Sequence, residues 1–106
     1  MDSLLFDKVL NYVCYVKCKC LSNSFISDKV LYKKMTENFI INKFLHKWMD
    51  DRETDPMDII DDMLLKYWLL YAYARQYNDQ PLQDLYITYI KALENIRDYI
   101  RKEQKL

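Results

Sequence analysis

The chain has 106 residues, of which 51% are hydrophobic and 15% aromatic, and it carries no net charge and no glycine. This length and apolar content are typical of one folded domain and argue against a disordered chain. Tight β-turns and phosphate-binding loops depend on glycine, so the composition argues against β-rich folds, P-loops and dinucleotide-binding fingerprints. Zero net charge provides no overall field that would attract nucleic acid or a membrane surface.

The first helix is predicted over residues 2–20. Phe6, Val9, Val13, Val16 and Cys20 recur every three or four residues, which places them on one face of a helix. The segment 21–24 is rich in serine and asparagine and indicates a turn.

A second helical region is predicted over residues 27–51, with Ser27 as its N-cap. The polar segment 33–38 leaves an alternative open, in which the helix breaks near residue 35 and Thr36 caps the second piece.

The third and fourth helices are predicted over 56–77 and 81–102. Asp55 and Pro56 fit the N-cap and the first position of the third helix, and residues 63–74 are apolar on nearly all sides. In the fourth helix, an apolar heptad pattern is formed by Leu82, Tyr86, Tyr89, Leu93, Ile96 and Ile100. Short loops favour antiparallel neighbours, so we expect a single all-α domain, a four-helix antiparallel bundle, or a five-helix bundle if the break occurs.

Location and source are predicted from the N-terminus, the cysteines and the composition. The N-terminal residues lack a basic signal-peptide region, and no apolar run reaches the ~18 residues that span a bilayer. Three cysteines, an odd number, fit free thiols in a reducing compartment. We therefore expect a cytoplasmic protein without a membrane anchor. Its richness in Lys, Ile, Asn and Tyr suggests an AT-rich coding genome such as that of a phage or virus.

Two groups of residues could bind a metal. Cys14, Cys18, Cys20 and His46 would suffice for a tetrahedral zinc site, but their spacing differs from the C-x₂-C pattern, and cysteines commonly pack as small apolar side chains. Asp58, Asp61 and Asp62 could hold Mg²⁺, but acidic residues also gather near helix N-termini because the helix dipole favours them there. We expect no bound metal or other cofactor. With one histidine and no glycine, we also expect no enzymatic activity.

A nucleic-acid-binding regulator is the alternative function, because lysines are frequent in the first half of the chain. The candidate residues are Lys29, Lys33, Lys34, Lys43 and Lys47. Arginine, the side chain that most often recognises bases, is absent from residues 1–51.

The favoured function is protein–protein interaction, because the aromatic content exceeds what one small core needs. Ten Tyr, two Trp and four Phe are present, and Tyr and Trp are enriched at interfaces. We expect the partner-binding residues on the third and fourth helices to be Tyr67, Tyr71, Tyr73, Tyr77, Ile87 and Ile90. The predicted protein is a non-enzymatic helical module that forms a homodimer or acts as a phage- or virus-type inhibitor or adaptor of a host protein.

Overall fold

A computed structural model describes residues 4–12 and 28–104. Within these ranges the chain forms four helices and no strand, so the all-α prediction is confirmed. Helix α1 covers residues 4–12, α2 covers Asp28–Asp50, α3 covers Pro56–Gln76 and α4 covers Gln80–Gln104. The rest of the predicted first helix, the turn at 21–24 and the N-cap at Ser27 lie outside the described residues.

Helix α2 is continuous, and the alternative break near residue 35 does not occur. Thr36 is buried, and its hydroxyl donates to the carbonyl oxygen of Tyr32 at 2.8 Å, one turn earlier in the helix. A threonine bonded in this way has satisfied its hydroxyl inside the helix, so it does not cap a new one. The polar segment is therefore part of a single, uninterrupted helix.

The start of α3 is fixed by the two residues that the sequence indicated. Asp55 is the N-cap in an extended conformation, and its carboxylate accepts a hydrogen bond from the Met57 amide at 2.9 Å. Pro56 occupies the first helical position, where a missing amide hydrogen costs nothing.

Replacing Asp55 with alanine should lower the free energy of unfolding by about 1 kcal/mol, because the Met57 amide loses its acceptor. Urea denaturation would measure this loss. The matched control is Asp62→Ala, at an exposed position beyond the first turn, with an expected change within about 0.5 kcal/mol. Equal effects of the two substitutions would show that the cap contributes nothing.

The turn between α3 and α4 uses asparagine where many proteins use glycine. Asn78 has a φ of 56°, in the left-handed region, and it is the only such residue among those described. The amides of Tyr77, Asn78 and Asp79 donate to the carbonyls of Tyr73, Arg75 and Ala74, which satisfies the end of α3. Three residues thus separate α3 from α4.

The core lies where all four helices meet. Trp48 of α2 is fully buried; its ring centroid is 5.0 Å from that of Phe6 in α1 and 5.8 Å from that of Phe44. The other fully buried large side chains are Val9, Ile40, Ile60, Ile90, Leu93, Ile96 and Ile100. Of the six heptad residues predicted for α4, Leu93, Ile96 and Ile100 are core residues, Tyr86 and Tyr89 pack partly buried against the core, and Leu82 is exposed.

Candidate interaction surface

The side of α3 that faces away from the core is apolar. Leu65, Leu69 and Tyr73 follow one another at intervals of four residues and are 62%, 65% and 61% exposed. Trp68 is 45% exposed beside them, and Ala72 is exposed between them. These five residues are called the α3 outer face. A continuous exposed apolar patch of this kind commonly marks a place where another molecule binds.

The six predicted partner-binding residues do not lie on one surface. Tyr73 and Tyr77 are exposed, while Tyr71 and Ile87 are partly buried. Placing the other two on the outer side was wrong, because Tyr67 and Ile90 are 4% and 0% exposed. Both point into the core, where Ile90 packs among the other buried residues of α4 and Tyr67 meets tyrosines of that helix.

Tyr67 lies at the centre of an aromatic cluster that joins α3 to α4 and α2. Its ring centroid is 6.2 Å from that of Tyr86 and 5.1 Å from that of Tyr89, and Phe39 lies 6.0 Å from Tyr89. Lys43 of α2 donates to the Tyr67 hydroxyl at 3.4 Å. Burial raises the pKa of the Tyr89 hydroxyl, and the nearby hydroxyls raise it further. The cluster packs α3 against α4 and α2.

Tyr73 and Tyr77 form a pair at the C-terminal end of the exposed side of α3. Their ring centroids are 4.8 Å apart, and the Tyr73 hydroxyl donates to that of Tyr77 at 3.4 Å. This hydrogen bond raises the pKa of Tyr73. The pair presents two aromatic rings with polar tips, which is the chemistry common at protein interfaces.

Sequence reasoning missed two parts of the exposed apolar surface. Leu65, Trp68 and Leu69 lie in the segment recognised as apolar on all sides, but nothing in the sequence showed which side would face outward. Helix α2 carries a second exposed group, consisting of Leu31, Tyr32, Met35, Phe39 and Met49. The spacing of three, four and seven residues among Leu31, Tyr32, Met35 and Phe39 was the available signal.

The five lysines proposed for nucleic-acid binding are separated by their contacts. Lys34 forms an ion pair with Glu37 at 3.6 Å, and Lys43 donates a hydrogen bond to the Tyr67 hydroxyl. Lys47 lines a depression together with Asp50, Asp51 and Asp62, where the local charge is negative. Lys29 and Lys33 instead line a cleft of about 740 Å³ between α2 and α4, with Lys91 on the opposite wall.

The described residues that were candidates for metal binding are exposed and dispersed. Asp58, Asp61 and Asp62 are exposed, and Asp61 accepts a hydrogen bond from Arg97 at 3.5 Å. Among residues 4–12 and 28–104, no three His, Cys, Asp or Glu side chains are grouped closely enough to hold a metal ion. Cys14, Cys18 and Cys20 lie outside the described residues, and His46 is exposed on α2.

Comparisons with protein-family models, with curated proteins and with solved structures found no match to this chain. In the part of the chain that the structure describes, no helix has the length and apolar character needed to cross a bilayer. The exposed surface, and above all the α3 outer face, is therefore the feature that bears on function.

Proposed function

We propose that this protein is a non-enzymatic interaction module that binds another protein chain through the α3 outer face. The observation that supports this proposal is the exposure of Leu65, Leu69 and Tyr73 in one line along a helix whose opposite side forms the core. In a cell, such a module would act as an inhibitor or adaptor in the cytoplasm, or as a homodimer, and a phage or viral source fits its size and composition.

The physical basis is the free energy gained when apolar surface leaves water. Burial contributes about 25 cal/mol for each Å² of apolar surface, so a helix face with two leucines and two aromatic rings can supply several kcal/mol to association. Aromatic side chains add large contact areas with few rotatable bonds, which keeps the entropic cost of binding low. The acidic residues Asp58 and Asp62 lie at the N-terminal end of this face and would form part of a polar rim.

Photo-crosslinking in cells tests the proposal directly. A photoreactive phenylalanine analogue at Leu69 should form covalent adducts with whatever protein chain lies on the α3 outer face. The same analogue at Arg101, an exposed and polar position on α4, is the matched control and should give none. If irradiation gives the same product pattern at both positions, or none at Leu69, the α3 outer face does not bind a protein.

We also infer that consecutive helices run antiparallel, as expected for a bundle with short connections. Two contacts between α3 and α4 support this arrangement. Asp61, near the start of α3, meets Arg97 towards the end of α4. Tyr67, further along α3, meets Tyr86 and Tyr89, which come earlier in α4.

Nucleic-acid binding is the weaker proposal. A phosphate-binding surface requires several cations that can face one backbone, and among the described residues Lys29, Lys33 and Lys91 line a cleft that also contains Asp84. The ion pair of Lys34, the hydrogen bond of Lys43 and the acidic surroundings of Lys47 argue against one phosphate-binding surface formed by all five lysines.

A further inference from the structure

One edge of the α3 outer face carries opposite charges at equal distances from a central aromatic ring. Asp61, Trp68 and Arg75 follow one another at intervals of seven residues, so they lie along the same edge of α3. A helix rises 1.5 Å per residue, which places Asp61 and Arg75 about 10 Å from Trp68 in opposite directions. Along this edge an acidic side chain, an aromatic ring and a basic side chain therefore follow one another at equal spacing.

All three side chains of this edge are accessible. Asp61 keeps 57% of its side chain exposed although it is paired with Arg97, and both Trp68 and Arg75 are exposed. A carboxylate has two oxygen atoms and can accept hydrogen bonds from two guanidinium groups. Asp61 can thus keep its contact with Arg97 and still meet a second arginine.

Resting on the function proposed above, we propose that the chain bound to the α3 outer face is a second copy of this protein, with its α3 packed antiparallel. A two-fold axis beside Trp68 brings the two Trp68 rings together. It also brings Asp61 of each copy opposite Arg75 of the other copy, so the same ion pair forms twice. An isologous interface requires this self-complementarity, in which residue i meets residue j and j meets i.

The charge pattern selects this orientation over others. In a parallel pair, Asp61 would meet its own copy at one end and Arg75 would meet its own copy at the other, and both contacts are repulsive. The antiparallel pair also sets the two helix dipoles in opposite directions, which is favourable. One helix pair gives an interface at the lower end of the range of specific complexes, so we expect a micromolar dissociation constant.

Light scattering on the purified protein across a concentration range tests the proposal through two charge-reversal variants. Asp61→Arg places arginine opposite Arg75, and Arg75→Glu places glutamate opposite Asp61, so each variant alone should remain at the mass of one chain. An equal mixture restores both ion pairs, because the introduced arginine meets the introduced glutamate while native Arg75 meets native Asp61. The mixture should therefore regain twice the chain mass, as the wild type does.

The antiparallel dimer would be overturned if the wild type stayed at single-chain mass at millimolar concentration, or if either variant alone dimerised as well as the wild type. It would also be overturned if the mixture did not regain twice the chain mass although circular dichroism showed both variants to be helical. Crosslinking at Leu69 separates this failure from that of the proposed function. Adducts with a different protein would reject the self-complex and keep the interaction module, whereas no adduct at all would reject both.

Discussion

Replacing Trp48 with alanine should lower the free energy of unfolding by about 3–5 kcal/mol, the loss expected when a fully buried aromatic side chain is truncated. The side chain is fully buried and meets Phe6 of α1 edge-on and Phe44 of its own helix. Its removal leaves a cavity that two rigid helices cannot close. Chemical denaturation followed by circular dichroism would measure the loss.

Trp48→Phe is the matched control, because it keeps an aromatic ring and removes the indole N–H. Among the described residues, the buried Trp48 Nε1 has no hydrogen-bond partner. An unsatisfied buried donor costs about 1–3 kcal/mol, which offsets part of the packing lost with the smaller ring. We expect the phenylalanine variant to stay within about 1.5 kcal/mol of the wild type. A loss of unfolding free energy as large as that of the alanine variant would mean that the indole N–H donates a hydrogen bond in solution.

The second large effect concerns two adjacent leucines, of which one should be strongly destabilised and the other nearly unaffected by the same substitution. Leu64 is 5% exposed and packs in the core, so Leu64→Glu buries a charge and should cost more than about 4 kcal/mol of stability. Leu65 is exposed on the α3 outer face, so Leu65→Glu should change stability by no more than about 0.5 kcal/mol. Thermal unfolding of the two variants would measure both effects.

The same two variants separate folding from binding. Leu65→Glu places a charge in the middle of the proposed interface, so it should abolish dimerisation in light scattering while the helical signal is retained. If this variant dimerises normally, the α3 outer face is not where the chain associates. If Leu65→Glu unfolds the protein as Leu64→Glu does, the orientation assigned to α3 is wrong.

The helices could be predicted well where local chemistry decides the outcome. Asp55 and Pro56 form a cap whose geometry depends on neighbouring residues alone, and the observed start of α3 agrees with the prediction. Whether α2 breaks near residue 35 stayed open in the sequence because the Thr36 hydroxyl can either cap a new helix or donate a hydrogen bond back within an existing one, as it does in the structure. Burial of Thr36 against the rest of the fold decides between them, and the sequence does not contain that information.

The binding surface was harder to predict than the helices because α3 is apolar on nearly all sides. Periodicity identifies an inward face only when the opposite face is polar, and residues 63–74 offer no such contrast. Tyr67 and Tyr73 are alike in the sequence, yet one contacts α4 in the core and the other is exposed. Which face of α3 turns toward the core is set by its contacts with α4 and α2, and these contacts join residues that are far apart in the sequence.

The turn at Asn78 has a consequence for the order of folding. Because three residues separate α3 from α4, the contacts between these helices close short loops, and these two helices make the most extensive contact among α2, α3 and α4. Short loops cost little entropy to close, and chains rich in local contacts fold quickly. We therefore expect α3 and α4 to pair in the folding nucleus, with α2 and α1 joining them later.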